Sequence, residues 1–208
     1  MWFSIALTVV SAYLLGNLNG AIIASRMIAH EDVRSHGSGN AGLTNFIRNY
    51  GISNALLVVL IDVGKAAVAC TVGGLLMASY GYFKEGQVLG GLFVLIGHVF
   101  PALLGFRGGK GILSGFTIAI MIDWRIALLI LAVFVVAYGL TQYVSLGSVL
   151  AAAGFSIGFV IFYHDSLSIT IGGVLMGALA LYMHRSNIVR LLRGEERKTN
   201  LFSKGRKS

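Results

Sequence analysis

The sequence predicts an all-α integral membrane protein with about seven transmembrane helices, and its composition and apolar runs are the main evidence. Hydrophobic residues make up 56% of the 208 positions, charged residues make up 12%, and the mean hydropathy is +0.82. Soluble proteins carry about 25% charged residues. Runs of apolar residues are long enough to cross about 30 Å of hydrocarbon. We therefore expect residues 1–198 to form one transmembrane domain, followed by a basic tail at 199–208.

Seven apolar runs follow one another along the chain, and each is a candidate span. They cover residues 2–25, 54–80, 88–104, 112–122, 126–140, 146–163 and 167–183. The fourth run is too short to cross the hydrocarbon alone, unless the glycines at 108–111 extend it or the bilayer thins. A bundle of five spans with re-entrant segments is therefore the alternative.

The basic residues predict the orientation, because cytoplasmic loops of membrane proteins carry an excess of lysine and arginine. With seven spans, one side of the membrane carries Arg26, Arg34, Arg48, Arg107, Lys110 and the basic C-terminal segment. The other side carries only Lys84 and Arg125. We expect the N-terminus outside and the C-terminus inside. Clustering of the net charge of +8 in these short segments also argues against a nucleic-acid-binding face.

Few polar side chains interrupt the predicted spans, and each needs a partner in the bilayer. Asn17 and Asn19 lie in the first span, where hydrogen bonds between helices are the favoured interpretation. Asp62 and Lys65 lie three residues apart in the second span, on one helical face. Such residues usually face the bundle interior, and a mutual ion pair is expected. Cys70 is the only cysteine, so no intrachain disulfide can form.

The first segment with possible chemistry runs from 36 to 48, between the first two spans. Gly37 and Gly39 lie on either side of Ser38. Four further polar or charged side chains follow within nine residues: Asn40, Thr44, Asn45 and Arg48. Hydroxyl and amide donors beside a planar guanidinium are suited to binding phosphate. The alternative is a loop that simply caps a helix, with Asn40 or Thr44 as the capping residue.

The second segment, GHVFPALLGFRGGKG at 97–111, lies at the predicted membrane surface. Gly108, Gly109 and Gly111 flank Lys110, and backbone amides in such a loop can form a concave nest for an anion. It is not a Walker A loop, which needs a longer spacing and a serine or threonine after its lysine. His98 is expected to anchor the loop. A plain glycine-rich turn carrying two positive-inside charges is the alternative.

The third segment, HRSNIVRLLRGEERK at 184–198, follows the last span. As a helix it places His184 and Asn187 on one face, with Glu196 further along among basic residues. An amphipathic tail on the membrane surface is the alternative. Together, the three segments describe a site for phosphate-bearing molecules beside a lipid phase. They contain no pair of acids suited to metal binding, so we expect neither a metal nor a cofactor.

These three segments resemble the cytoplasmic motifs of the bacterial PlsY family, the acyl-phosphate:glycerol-3-phosphate acyltransferases. The resemblance rests on GSGNAGLTNFIR, GHVFPALLGFRGGKG and HRSNIVRLLRGEERK, in that order, and on the pair Asp62 and Lys65. It extends from the first span to residue 198. The sequence departs from the family pattern at Leu43, Ala66, Arg107 and 112–114, none of which removes a charged or hydroxyl group with an expected central role.

The resemblance implies transfer of an acyl group from a long-chain acyl phosphate to the sn-1 hydroxyl of glycerol 3-phosphate. The products would be lysophosphatidic acid and phosphate, in the first step of bacterial phospholipid synthesis. It implies a multi-pass protein of the bacterial inner membrane that needs no cofactor. The implied partners are the two small-molecule substrates, the lipid bilayer and the acyl-phosphate-producing enzyme, and they include no nucleic acid.

The resemblance also assigns roles within the site. It places His184, Asn187 and Ser38 in the catalytic group. It places Ser38, Arg48 and Lys110 around substrate phosphates, with Gly108, Gly109 and Gly111 shaping the loop, and it gives Glu196 a role in holding the site. The expected substrate- and phosphate-binding set is completed by Gly39, Asn40, Thr44 and Asn45 together with those three glycines, and His98, Asp62 and Lys65 are expected to give structural support. Either a substrate phosphate oxygen or His184 would accept the hydroxyl proton.

Two other classes of membrane protein are alternatives to this interpretation. A small transporter of phosphate or organophosphate anions would also need cytoplasmic cations, but it would carry more polar residues in its spans and some repeat symmetry. A CDP-alcohol phosphatidyltransferase needs an aspartate-rich metal motif, which this sequence lacks.

Overall fold

A computed structural model describes residues 1–198, whose regular secondary structure consists of ten α-helices and two short 3-10 helices. The α-helices are α1 Trp2–Gly16, α2 Gly20–Ala29, α3 Leu43–Tyr50, α4 Ala55–Ala78, α5 Phe83–Val99, α6 Ile112–Ile122, α7 Trp124–Thr141, α8 Val144–Phe162, α9 Leu167–Met183 and α10 Arg185–Leu192. The 3-10 helices are Val33–Ser35 and Ala102–Leu104. The predicted tail at 199–208 lies outside the described residues.

The predicted all-α membrane fold is confirmed, because each of the seven apolar runs overlaps an apolar helix. Five helical segments are long and apolar enough to cross a bilayer: Trp2–Ala29, Ala55–Ala78, Phe83–Leu104, Trp124–Thr141 and Val144–Phe162. Helices α9 and α10 pass the same test together, although they are bent by 56° at their junction. Helix α6 is apolar but short. The protein is a multi-pass membrane protein, and seven crossings stays a prediction.

The first span is broken between α1 and α2, and the broken backbone is satisfied by side chains from elsewhere. Asn19 caps α2 by accepting a hydrogen bond from the backbone N–H of Ile22 at 3.0 Å. The carbonyl of Leu18 accepts from Lys65 Nζ at 2.6 Å, and the N–H of Gly20 donates to Asp62 Oδ1 at 3.1 Å. Unpaired backbone groups are costly in a bilayer, so this pairing allows the break to exist inside the bundle.

The bundle is organised around α5, which packs against α1, α4, α6 and α9, while α7, α8 and α9 pack in sequence beside it. Its main core contains residues of α1 and of every helix from α4 through α9. A second, smaller core lies under the segment that follows α2, where Phe46 of α3 is fully buried with Val33 and Val58. This polar segment therefore has its own apolar support, and Leu43 is partly buried against it.

The C-terminal end of helix α6 contacts a cluster of polar side chains. The Nζ atom of Lys84 donates to the carbonyl of Ile122 at 2.8 Å and to the hydroxyl of Tyr163 at 3.0 Å. Tyr163 in turn donates to Asp123 Oδ2 at 3.1 Å, and Asp123 caps α7 through the N–H of Arg125. These contacts close the C-terminal end of the short helix.

Glycine pairs allow the central helices to cross with their backbones in contact. A Cβ atom added at Gly73 of α4 would collide with the carbonyl oxygen of Gly86 of α5, and the reverse substitution would collide with Gly73. Gly16 and Gly97 form a similar crossing between α1 and α5. By contrast, Gly64 of α4 has nothing within 4 Å of an added Cβ atom. Close approach of backbones is the usual role of small residues between membrane helices.

We expect Gly73→Ala to destabilise the bundle by about 1–3 kcal/mol, because the methyl group meets a backbone atom that cannot move alone. The thermal midpoint of unfolding in detergent should fall by several degrees. Gly64→Ala, on the same helix, is the matched control and should keep or raise the midpoint, since alanine stabilises helices by roughly 0.5–1 kcal/mol over glycine. Equal midpoints for the two variants would contradict the backbone crossing.

Candidate active site

One cavity of about 820 Å³ brings all three predicted segments together. Its polar end is lined by residues of the first segment, by Lys110 and Gly111 of the second, and by His184, Asn187 and Glu196 of the third. Its other end is lined by apolar residues of α7, α8 and α9, including Leu131, Phe134, Ala152, Phe155 and Met176. The cavity therefore joins a charged, hydrogen-bonding end to an apolar end, the apolar trough, which is formed by α7, α8 and α9.

The first segment, 36–48, is held in shape by the buried side chain of Asn45. Its Oδ1 accepts from the N–H of Ser38 at 3.0 Å, and its Nδ2 lies 3.1 Å from the carbonyl oxygens of Val33, His36 and Asn40. Because these bonds use the amide group of Asn45 within the loop, Asn45 organises the site rather than offering its side chain to a ligand.

The rest of the first segment lines the cavity. Gly37 and Gly39 both have positive φ angles, of 60° and 70°, which allows the chain to turn tightly around Ser38. The cavity wall here includes Ser38, Gly39, Asn40, Thr44 and Arg48. The predicted grouping of short donors and a guanidinium at one place is therefore present in the structure.

The second segment presents Lys110 but not the predicted nest of glycine amides. The N–H of Gly108 donates to the carbonyl of Val99 at 3.1 Å, and the N–H of Gly109 donates to the carbonyl of His98 at 3.2 Å. Neither glycine lines the cavity, so the expectation that both bind phosphate is wrong in its geometry. Gly111 does line it, with a φ of 78° at the N-terminal cap of α6.

Packing, rather than anion approach, explains why glycines occupy these positions. A Cβ atom at Gly109 would collide with the imidazole of His98 and lie 2.6 Å from the carbonyl oxygen of Ala41. A Cβ atom at Gly108 would collide with the carbonyl oxygen of His98. The glycines therefore let the second segment lie directly on α5 and on the first segment.

His98 belongs to a buried polar cluster beneath the site. Its Nδ1 atom lies 2.7 Å from Lys65 Nζ, which also contacts Asp62 Oδ1 at 2.7 Å. An ammonium group can only donate, so His98 Nδ1 accepts and its ring proton is on Nε2. Lys65 also donates to the carbonyl of Leu18, so its three protons all have acceptors. The Asp62–Lys65 pair is present as predicted, and His98 joins it.

The third segment extends the site through a chain of hydrogen bonds. Lys110 Nζ donates to Asn187 Oδ1, Asn187 Nδ2 donates to Glu196 Oε1 at 3.1 Å, and Arg190 Nε donates to Glu196 Oε2 at 2.8 Å. Asn187 is buried, so its amide is fixed between a cation and a carboxylate. These hydrogen bonds set the position of Lys110 on the cavity wall.

His184 occupies the junction between α9 and α10 and is also buried. Its Nδ1 atom lies 2.8 Å from the carbonyl oxygen of Ala180, which can only accept a hydrogen bond. The neutral imidazole therefore carries its proton on Nδ1 and keeps an unprotonated Nε2. Because His184 lines the cavity, it offers a basic nitrogen to a ligand there.

The cations at the polar end of the cavity destabilise one another's charged forms, because they are close together and partly buried. Burial, together with the positive charges of Arg190 and Arg48, lowers the pKa of Lys110 to about 8, against the opposing effect of Glu196. Desolvation also lowers the pKa of Arg48 from its usual value; Glu196 opposes this shift and Arg197 adds to it. Crowded, partly buried cations are stabilised when an anion binds among them. The site is therefore electrostatically prepared for phosphate.

Known proteins share both the sequence and the fold. A family model described as glycerol-3-phosphate acyltransferase matches residues 6–194. The chain belongs to this family. A glycerol-3-phosphate acyltransferase of Thermoanaerobacter sp. (strain X514) is 39% identical over 192 residues, covering 92% of this chain and 94% of the relative. The acyltransferase of Synechococcus sp. (strain CC9902) is 38% identical, covering 94% and 96% respectively.

Two solved structures of PlsY, an integral membrane glycerol 3-phosphate acyltransferase, have the same fold as this family member. The glycerol 3-phosphate form has a TM-score of 0.86 and 29% identity, and it covers 96% of this chain and 100% of the solved one. The lysophosphatidic acid form has a TM-score of 0.80 and 30% identity, covering 95% and 96%. The predicted family and its enzymatic character are therefore confirmed.

Sequence reasoning missed several residues that line or support this cavity. Arg190 is one of several basic residues of the third segment and nothing in the sequence singles it out, although it anchors Glu196. Ser145 and Ser148 of α8 line the cavity, as do the apolar residues of α7 and α9. Their helices are apolar on every face, so no periodic pattern marked the side that borders the cavity.

The pKa of Lys110 predicts an alkaline limb in the pH profile. Below pH 8 the ammonium is charged and can hold a phosphate; above pH 8 it loses its proton and its attraction for the anion. We expect kcat/KM for glycerol 3-phosphate to fall as the pH rises through about 8. Lys110→Arg keeps the charge to much higher pH, because arginine titrates above about 12.

The profile of Lys110→Arg should therefore lose this limb, even if its plateau is lower than that of the wild type. Stability of the substrate at each pH is checked without enzyme. An identical limb in the wild type and in Lys110→Arg would show that another group is responsible.

Proposed function

We propose that this protein transfers the acyl group of a long-chain acyl phosphate to the sn-1 hydroxyl of glycerol 3-phosphate. The products are lysophosphatidic acid and inorganic phosphate. The observation that supports this proposal best is the single cavity, which has cations at one end and an apolar trough at the other. Such a cavity matches a donor that carries a phosphate on one end of a hydrocarbon chain.

The polar end supplies the charge that two phosphates require. Two anionic substrates must approach each other, and their repulsion is offset by the charges of Arg48, Lys110 and Arg190 around the cavity. Ser38 adds a hydroxyl donor on the same wall. Arginine grips phosphate through two parallel hydrogen bonds, whereas lysine acts as a point charge. The Asn187–Glu196 chain holds Lys110 in place for this role.

The apolar end accounts for the acyl chain. Leu131, Phe134, Ala152, Phe155 and Met176 come from three neighbouring helices and form a continuous wall. Burying each methylene group of a chain there contributes about 0.8 kcal/mol. A long acyl chain would therefore be held by the bundle while its phosphate stays at the cationic end.

The reaction itself needs little activation, because an acyl phosphate is a mixed anhydride with a good leaving group. The glycerol 3-phosphate hydroxyl oxygen bonds to the acyl carbon, and the carbonyl electron pair moves to oxygen. When that pair returns, the bond to the phosphate oxygen breaks and phosphate leaves with its electrons. The hydroxyl proton goes to a phosphate oxygen of the donor or to Nε2 of His184. Positioning and charge stabilisation supply the rate.

The proposed location is the bacterial inner membrane, with the N-terminus outside, the C-terminus inside and the site on the cytoplasmic face. Single cysteines introduced at the exposed positions Asp165 and Arg107, in a chain with Cys70→Ala, should differ in their labelling by a membrane-impermeant reagent. Asp165→Cys should react in intact cells, and Arg107→Cys only after lysis. Labelling of Arg107→Cys in intact cells would contradict this orientation.

Purified protein should release phosphate from palmitoyl phosphate only when glycerol 3-phosphate is present, and the product should carry its acyl group at sn-1. Palmitoyl-CoA should give no product. Turnover should continue in EDTA, because the proposed chemistry uses only cationic side chains. Lys110→Met should lose about ten- to a hundredfold in kcat/KM, the expected effect of losing one charged hydrogen bond.

Three results would reject parts of this proposal separately. Efficient use of palmitoyl-CoA would reject the donor. Acylation at sn-2 would reject the position of the hydroxyl in the site. Loss of turnover in EDTA, with recovery on adding magnesium, would reject metal-free catalysis.

A further inference from the structure

One buried hydroxyl stands out among residues 1–198. The Oγ atom of Ser145 is buried and has no hydrogen-bond partner, the one such side-chain nitrogen or oxygen found in this described part of the chain. Ser145 is only 9% exposed, and it lines the cavity of the proposed site. A buried polar atom without a partner carries a desolvation cost, so such an atom at a binding site indicates a ligand that pairs with it.

Ser145 lies in the first turn of α8, where the backbone adds to the effect. The N–H groups of a helix's first turn have no acceptors within the helix, and they carry a partial positive charge. Tyr143, at the N-cap, provides no side-chain cap. Ser148 is one turn further along, but its hydroxyl already donates to the carbonyl of Val144 at 2.9 Å. Ser145 therefore differs from its neighbour in having an uncommitted donor.

The position of Ser145 along the cavity identifies the part of the substrate that it meets. The cavity wall formed by α8 begins with Val144 and Ser145, and it continues into the apolar residues Ala151, Ala152 and Phe155. Helix α8 also packs against α10, and Lys198, at the end of the third segment, lies over the ring of Tyr143, the N-cap residue of α8. Ser145 thus lies where the polar end of the cavity gives way to the apolar trough.

In a long-chain acyl phosphate, the chemical group at this boundary is the acyl carbonyl. We propose that the Ser145 hydroxyl, supported by the N-terminus of α8, donates a hydrogen bond to the carbonyl oxygen of the acyl donor. This inference rests on the proposed function. When the acceptor hydroxyl attacks, the carbonyl electron pair moves to that oxygen, and the same hydrogen bond stabilises the resulting negative charge. Ser145 is then a catalytic residue.

Ser145→Ala tests this assignment against Ser156→Ala, a serine of the same helix that lies outside the cavity wall and contacts the carbonyl of Val174. Ser145→Ala should lower kcat for palmitoyl phosphate by about ten- to a hundredfold, as expected for one donor to a developing oxyanion. KM for glycerol 3-phosphate should stay within about twofold, since no contact to that substrate is lost. Ser156→Ala should retain the kcat of the wild type.

Hexadecyl phosphate, which has the phosphate and the chain but no carbonyl, distinguishes the two ends of the donor. Its inhibition constant should be the same for the wild type and for Ser145→Ala. If the constant rises in parallel with the loss of kcat, Ser145 contacts the phosphate and the carbonyl assignment is overturned.

Two further measurements exclude a purely structural role. Removing an unpaired buried hydroxyl relieves a desolvation cost, so the thermal midpoint of Ser145→Ala should equal or exceed that of the wild type. Ser145→Thr keeps the hydroxyl and should recover most of the activity. A lower midpoint, with no rescue by threonine, would overturn the inference.

The experiment also separates this inference from the proposed function. If the wild type transfers acyl groups and Ser145→Ala is as active as Ser156→Ala, only the role of Ser145 fails. If the wild type itself shows no transfer from palmitoyl phosphate, both fail.

Discussion

The buried ammonium of Lys65 is the contact on which the arrangement of the bundle depends. It binds the carbonyl oxygen of Leu18, the carboxylate of Asp62 and the Nδ1 atom of His98, and so connects the broken first span, α4 and α5. A charge is expensive in the interior of a membrane protein unless every proton has an acceptor. Here all three do. The same cluster supplies a partner for the N–H of Gly20, so the break in the first span and the ion pair stabilise each other.

The site is built on this cluster, one layer at a time. The ring of His98 lies against Gly109, and the N–H of Gly109 donates a hydrogen bond to the carbonyl of His98. The second segment is therefore positioned by α5. The first segment is tied to the same region, because Asn19 at the break donates to the carbonyl of Ala41 at 3.1 Å. The charges proposed to bind phosphate lie one layer further out, above all at Lys110. In this proposal, stability and anion binding depend on different cations: Lys65, whose three protons all have acceptors, and Lys110, which lines the cavity.

Much of this was accessible from the sequence, for identifiable physical reasons. Helix α9 was predicted at its observed bounds because it is an apolar run between polar turns, and the Asp62–Lys65 pair was predicted because ions in a bilayer need partners. The predicted anion nest at Gly108 and Gly109 is not observed. Glycine permits both the approach of an anion and the close packing of backbones, and the sequence alone does not distinguish these two uses. Ser145 could not be predicted, because what distinguishes it is a buried hydroxyl without a hydrogen-bond partner, and only the three-dimensional structure reveals that.

The shortness of α6 sets the depth of the cation that precedes it. Eleven residues rise about 16 Å, roughly half the thickness of the hydrocarbon core. The C-terminal end of α6 meets the polar cluster of Lys84, Asp123 and Tyr163, which stands at the start of α5 and α7 and at the end of α8. The N-terminal cap of α6, Gly111, therefore lies beside Leu95, within the length of α5. Lys110, the residue before this cap, is thereby recessed among the longer helices, so the protein carries a cation into the bundle on a loop rather than on a spanning helix.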